Sequence, residues 1–415
     1  MAVFVQKRYF SLLVAIAIVG VSSVGFMGNR GDRAIAQTPL PESNAPVYPP
    51  DAPPPRRPPL PDERQQMEEQ SIGADYRVSA LQAGGKNGLW VGGWQGLAQI
   101  HASTGRILKR VSLPNTIVGA LAEDKMGRIW VGTYEGLVRV DPKTGQITAQ
   151  NFMLPSNRVL SLLVDQRGYL WVGTDAGLAL ISPDQGLIMT TVKNLPGVSA
   201  NALALDPLGD LWVGTLDGVV QVDTASALIK RHVANIPGTT VQAVAVSPWG
   251  ALWMGTPAGL IEGDLGIERY IKTIKEPIPQ AELPKAKPKP KPTKPGQKPA
   301  KPVPQFRIRR EVAYRPGPPD QFEVRSVTLM QGRNVTSLQF DDVNSIWVGT
   351  TLGLFRVNPF NGATGGEIPN LPSGRVLSLA PDAGGKLWVG TTEGLAWVNT
   401  STFKAYPHNT FRAVK

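Results

Sequence analysis

The chain holds three histidines, His101, His232 and His408, and no cysteine. The histidines fall in three separate stretches, none with a metal-ligating companion at useful spacing. Without cysteine there is no thiol nucleophile, no disulfide and no lipid attachment through sulfur. No Walker loop, GxSxG, HExxH or EF-hand string is present. Five carboxylates do recur, Asp124, Asp165, Asp206, Asp341 and Asp382, each six residues before a tryptophan. Such regularity fits turn capping better than paired-acid catalysis. The residues therefore point away from an enzyme, and they imply no metal or cofactor.

A second group of residues suits binding. Arg77, Trp94, Tyr134, Glu135, Arg158, Asp175, Asp217, Asn334, Arg375 and Glu393 stand at three fixed offsets from the same tryptophans, thirteen residues before and four and five after, yet their types vary. Arginines, carboxylates, an amide and two aromatics on one surface suit a polar or carbohydrate ligand.

Those offsets belong to a repeat. Trp90, Trp130, Trp171, Trp212, Trp253, Trp347 and Trp388 are spaced 40, 41, 41, 41, 94 and 41 residues apart. A period near forty fits paired helices or four-stranded propeller blades. Short runs of Val, Leu, Ile, Thr and Trp, broken by Gly, Asp and Asn, decide for strands. One repeat parses as strands a to d over 159–164, 170–174, 178–181 and 187–192. Seven such sheets around an axis make an all-β, seven-bladed propeller of four-stranded antiparallel blades.

Each repeated letter has an expected task. Gly stands two and six residues after every motif Trp. The first Gly is read as a close approach of neighbouring chain, the second as the positive-φ residue of the b–c hairpin. Three residues before each Trp only Gly or Asn occurs, which marks the a–b turn. Ten residues before it only Ala or Ser occurs, so strand a is expected innermost, where the blades converge. One Trp at the same position in every blade is read as packing between sheets. Because successive strands are antiparallel, the d–a and b–c connections share a face, and the variable candidates gather there at the channel mouth.

The string LWVGTxxGL followed by V-D-P-x-T-G, as at Val140–Gly145, resembles the two-component regulator propeller repeat over residues 76–410. That family forms extracytoplasmic sensor domains of bacterial hybrid histidine kinases, and the resemblance implies ligand sensing, with glycans as the expected class. One propeller stands here in place of two, with no room for a kinase or DNA-binding domain, so phosphotransfer does not carry over. The repeat also resembles the streptogramin lyase propellers, whose catalytic His has no match in this chain.

The flanks read differently. Residues 1–36 carry Lys7 and Arg8, an uncharged run from Phe10 to Gly28 and an Ala34-Ile35-Ala36 cleavage string. They are read as a signal peptide or an uncleaved membrane anchor, either of which places the propeller outside the cytoplasm, periplasmic or extracellular. Residues 37–70, with eleven prolines between Pro39 and Pro61, are expected to be a disordered linker. Its RRPPLP string at Arg56–Pro61 reads as a spacer before a groove ligand.

The surplus of 53 residues in repeat five is expected as a disordered insertion over 266–320, in the c–d loop, with strand d displaced to 322–329. From Gly266 to Arg315 it holds 14 Lys and Arg against 4 Glu, within a chain of net charge +11. The high charge thus belongs to an insertion and not to a propeller face, and no nucleic-acid partner is expected. The expected function is a non-catalytic extracytoplasmic sensing module with a polar or glycan ligand. The alternative is an interaction scaffold whose Lys285–Lys301 stretch touches an envelope protein or an anionic polymer.

Overall fold

Strands form where the repeat gathers Val, Leu, Ile and Thr, and each stops at a residue that can turn the chain. In the third repeat the four strands are Val159–Val164, Leu170–Thr174, Gly177–Ile181 and Ile188–Val192, hydrogen-bonded in sequence order. The computed structural model describes residues 75–412 apart from Lys86, Lys193, 279–305 and 318–321. The expectations for 1–36, 37–70 and Lys285–Lys301 lie outside the described residues.

Seven antiparallel sheets follow one another as the blades of a propeller, over 78–111, 118–151, 159–192, 202–233, 243–326, 335–357 and 376–412. No α-helix occurs among the described residues. Strand d of the last blade, Lys404–Arg412, pairs with Gly394–Asn399 of the same blade, so the ring closes without borrowing an N-terminal strand. Closure is by packing of blade 7 on blade 1. Ser378 Oγ donates to Val78 O at 3.1 Å, and Trp388 Nε1 to Ala102 O at 3.0 Å.

The core lies between blades. All seven motif tryptophans are almost wholly buried, and each belongs to a cluster that spans one blade–blade interface. Trp130, for example, packs with Val159, Leu170 and Val172 of blade 3. Fully burying a ring of this size is worth several kcal/mol, and Trp→Ala in such a site costs about 3–5 kcal/mol. The glycine two residues after the Trp explains how blades come so close. A Cβ at Gly132 would sit 2.3 Å from Val159 Cγ1, and one at Gly255 2.5 Å from Val335 Cγ1. The hairpin glycines all take positive φ, from 80° at Gly218 to 145° at Gly353.

Small polar residues of strand a add a hydrogen-bonded inner ring. Ser161 Oγ donates to Ala200 O at 2.8 Å, Asn201 Nδ2 to Val241 O at 3.2 Å and Thr336 Oγ1 to Val376 O at 2.6 Å. Each reaches the head of strand a of the next blade, at Val376 within the strand and at Ala200 and Val241 two residues before it. Four of the recurring aspartates, Asp124, Asp165, Asp206 and Asp341, cap the a–b turns, whereas Asp382 lies within its strand and accepts from Asp342 N of blade 6 at 2.9 Å. Asp165 Oδ1 accepts from Arg167 N and Tyr169 N, and its Oδ2 from Trp171 Nε1 at 3.2 Å. The same indole-to-carboxylate bond recurs at Asp206 with Trp212 and at Asp341 with Trp347.

Two regions depart from the expected plan. Blade 6 keeps three strands, and its fourth is replaced by an irregular segment held by a bridge between Val357 and Thr364. The Gly and Pro of 358–372 prevent a regular edge strand there. The insertion does sit between strands c and d of blade 5, with Val324–Ser326 as the displaced d. Its flanks, however, are not structureless. Ile267–Pro277 pairs with Phe306–Pro316 through eleven successive residue pairs, an antiparallel ribbon. The β-branched and aromatic residues of those two flanks favour strand pairing, a signal masked by the lysine–proline composition of the centre.

Candidate functional site

The motif threonine sets the display of the variable residues. Thr133, Thr174, Thr215, Thr256, Thr350 and Thr391 are buried. Each donates its hydroxyl to the hairpin glycine carbonyl, at 2.9 Å for Thr174 to Gly177 O. The same oxygen accepts the backbone N–H two residues on, as in Glu135 N to Thr133 Oγ1 at 3.1 Å and Glu393 N to Thr391 Oγ1 at 3.3 Å. The hairpin is clamped, and the two residues between threonine and glycine are held outward on the rim. The repeated Thr was the sequence signal for this clamp, and its role becomes visible only with the hydrogen bonds in place.

Main-chain bonds tie four of the hairpins, those of blades 1, 2, 6 and 7, to the start of strand a of the same blade. Trp94 N donates to Arg77 O at 3.2 Å, Tyr134 N to Ile117 O at 3.2 Å, Thr351 N to Asn334 O at 3.0 Å and Thr392 N to Arg375 O at 3.2 Å. The two variable columns are thus neighbours in space.

Four of the candidates form one run across blades 1 to 3. The Arg77 guanidinium lies over the Trp94 ring, 4.1 Å from its centroid, and is itself paired with Asp75 at 3.3 Å. Trp94 meets Tyr134 of the next blade edge to face, with centroids 6.2 Å apart and planes at 69°. Arg158 of the third blade lies over the Tyr134 ring at 4.8 Å. Both aromatics are partly exposed and both arginines exposed. Such stacking fixes flexible arginines by about 0.5–1 kcal/mol each while leaving guanidinium N–H groups free to donate. Glu135 and Asp175, at the adjoining hairpin tips of blades 2 and 3, border this run.

The other candidates share the face but not the cluster. Asp217 faces His232, whose Nε2 lies 3.6 Å from the Asp217 carboxylate and 2.7 Å from its main-chain oxygen. Asn334 Oδ1 is shielded from water without a hydrogen-bond partner among the described residues. Arg375 and Glu393 stand at the start of strand a and at the hairpin of blade 7, with Arg375 N donating to Ser373 Oγ at 3.2 Å. Of the other histidines, His101 meets Ser103 Oγ at 3.0 Å and His408 the Gly105 carbonyl at 2.7 Å. No group of three His, Asp or Glu placed to hold a metal occurs among the described residues.

Cavities elsewhere compete less well. Beside Arg77, a crevice floored by Val78, Leu97 and Phe411 has only about 10 Å³ of free volume, at the limit of one water molecule. A 260 Å³ cavity between blade 4 and the ribbon holds Asp206, Asp210 and Lys230. Its polar groups already answer one another. Asp210 accepts from Lys230 Nζ at 2.6 Å and from Gln221 Nε2 at 2.8 Å. The Asp210 hydrogen bond raises the Lys230 ammonium above its ordinary range, while burial pushes the Asp206 carboxyl up. A 500 Å³ groove beside blade 6 contains Arg356, engaged by Asp341 at 3.3 Å.

The family model for the two-component regulator propeller matches residues 112–135, 153–176 and 370–393. Each match runs from a d–a connection through strands a and b to the clamped hairpin, so it covers the elements that build the rim. No curated protein matches the sequence. Among solved structures, the fold is similar to the extracellular domains of two putative hybrid two-component systems from B. thetaiotaomicron. One has a TM-score of 0.57 at 17% identity, over 81% of this chain and 42% of that one. The other has 0.55 at 20% identity, over 81% and 40%. The chain thus spans about two-fifths of each of those domains. A virginiamycin B lyase from Staphylococcus aureus is similar at a TM-score of 0.53 and 13% identity, over 77% of this chain and 93% of that one. Three stretches of the chain thus match the two-component regulator propeller repeat, within a single seven-bladed propeller.

Proposed function

We propose that this chain is a non-catalytic, extracytoplasmic binding or sensing propeller that takes a polar ligand of the glycan class on the rim of blades 1 to 3. The observation that carries the reading is the continuous run Arg77–Trp94–Tyr134–Arg158. An indole and a phenol offer faces to the C–H surface of a sugar ring. Two stacked guanidiniums offer directed donors to its hydroxyls or carboxylates. Glu135 and Asp175 supply acceptors at the border. The extracellular two-component domains of similar fold support a sensing role outside the cytoplasm. The separation of the three histidines from this run supports binding over turnover.

The test is a thermal shift on residues 66–415, with and without residues 282–304, against neutral glycans and anionic polymers. Ligand that binds the folded state raises the melting temperature by mass action. A neutral glycan should stabilise both forms, and Trp94→Ala combined with Arg158→Ala should abolish the shift. If no glycan shifts either form, or the double variant shifts as the parent does, the rim is not the site.

A further inference from the structure

The ribbon of blade 5 sorts its side chains by chemistry. Directly paired residues of an antiparallel ribbon share a face, and alternate residues change face. One face therefore carries Glu268, Tyr270, Lys272, Ile274 and Glu276 with Arg307, Arg309, Glu311, Ala313 and Arg315. All three glutamates of the ribbon lie here, and they are engaged. Glu268 pairs with Arg315 at 2.7 Å, and Arg309 bridges Glu311 at 2.7 Å and Glu276 at 3.6 Å.

The opposite face holds no acid. It alternates Ile267, Ile271, Ile308, Val312 and Phe306 with three cations, Arg269, Lys275 and Arg310. None of these three has an ion-pair partner among the described residues. The apolar side chains are open to solvent, with Ile271 68%, Ile308 64% and Phe306 52% exposed. At its base this face rests on blade 5, where Tyr314 OH donates to Pro248 O at 2.6 Å and Ile267 covers Gly250. The adjoining Trp249 stacks on Phe360 of blade 6 at 4.7 Å, and Phe360 is 72% exposed. An apolar surface with interspersed cations therefore runs out along the ribbon, and at its base Ile267 and Trp249 border a 340 Å³ cavity that also holds Glu262, Asp264, Glu323 and Arg325.

We propose that this face of the ribbon is a membrane-docking arm, and that its occupant is the surface of a bilayer containing anionic lipid. A two-stranded ribbon is marginal in water by itself, and eleven residues at about 3.3 Å each give it a length of about 36 Å. Laid on a bilayer, its isoleucines and Phe306 enter the boundary between headgroups and acyl chains, while the cations meet lipid phosphates. That pairing of a buried apolar term with an electrostatic one is what interfacial elements use. An acidic protein partner would satisfy the cations but leaves unexplained why apolar side chains alternate with them. The arm emerges from the c–d end of blade 5, the face opposite the aromatic rim, so its docking does not depend on the rim being a ligand site.

The experiment is co-sedimentation of residues 66–415, whose ring closes on its own strands, with vesicles of phosphatidylcholine alone or mixed with phosphatidylglycerol. Binding to the mixed vesicles alone, weakening as salt rises, is expected. Arg269→Glu with Arg310→Glu should weaken it at least about tenfold, since each basic residue near an anionic surface counts. Ile271→Ser with Ile308→Ser should weaken it by a similar factor. Both double variants should keep the melting temperature of the parent, because all four side chains are exposed. The proposal is overturned if mixed vesicles do not bind, or if neither double variant binds less well. It is also overturned if sedimentation velocity without lipid shows self-association that Ile271→Ser with Ile308→Ser abolishes. That last result would make the ribbon an interface between copies of the chain.

Discussion

The rim of blades 1 to 3 and the ribbon of blade 5 both join arginines to large apolar side chains, but they hold them in opposite ways. On the rim, Tyr134 sits on a hairpin clamped by Thr133, Trp94 is tied through its main chain to Arg77, and each arginine already rests on a ring. The ribbon instead leaves Ile271, Ile308 and three cations uncovered beyond the base where it rests on blade 5. A surface whose groups are mutually fixed is preorganised for a small, shaped ligand. One whose groups are uncovered suits a broad, deformable partner. The same residue types thus support two kinds of recognition, according to whether the scaffold beneath them is a packed blade or a free pair of strands.

The largest expected effect sets the scaffold against the ribbon. Trp171→Ala removes a fully buried ring and its bond to Asp165, and should cost about 3–5 kcal/mol by denaturant unfolding. Ile271→Ser, on the ribbon, should leave the unfolding midpoint unchanged. If it lowers the midpoint as Trp171→Ala does, the ribbon is part of the core and the contrast collapses.

Next in size is close packing between blades. Gly132→Ala places a methyl against Val159, and should destabilise by about 1–3 kcal/mol through overpacking. Gly96→Ala meets no atom within 4 Å but sits at a φ of 98°, so its loss, about 1–2 kcal/mol, comes from backbone strain alone. Equal losses at the two sites would mean that blade contact is looser than the geometry requires.

On the rim itself, Trp94→Ala with Arg158→Ala should cut ligand binding at least about tenfold while changing stability by no more than about 1 kcal/mol, the scale of exposed cation–π contacts. Calorimetry and unfolding on the same preparation separate the two. A large stability loss would reclassify the run as structural.

The smallest effect is a pH dependence. Burial holds the Asp206 carboxyl above its ordinary range. The folded state thus binds this proton more readily than the unfolded state, and the ionised carboxylate costs stability at neutral pH. That cost fades as pH falls through the raised value and is gone below the ordinary one. Asp206→Asn removes the titration. Any advantage of the variant should be greatest near neutral pH, and the parent should gain on it as the solution is acidified. Parallel stability curves for the two proteins would show that Asp206 does not titrate differently on folding.

Much of the scaffold was legible in the letters because its constraints are local and recur seven times. In the a–b turn and hairpin columns every residue takes positive φ and is Gly or Asn, and those columns could be read from that alone. A close contact between blades admits only Gly, as at Gly132 and Gly255. The strand limits of the third repeat fell within one residue of those observed. Blade 6 escaped because the loss of its fourth strand is an edge effect of a few Gly and Pro residues. The ribbon escaped because its pairing joins residues up to 49 positions apart, across a centre whose composition reads as a spacer. The candidate rim residues were found as a column, but the column could not say which of them touch.

The sequence by itself determined the number of blades, the order of strands and the face on which the variable residues stand, since each follows from a fixed period and the fixed alternation of antiparallel strands. Only the tertiary structure decided that Arg77 and Arg158 stack on Trp94 and Tyr134, that Asp217 turns to His232 instead, and that the glutamates of the ribbon gather on one face. These depend on where neighbouring blades and paired strands bring side chains distant in the chain, and a contact between such residues is set by the packed geometry around them rather than by any spacing along the sequence.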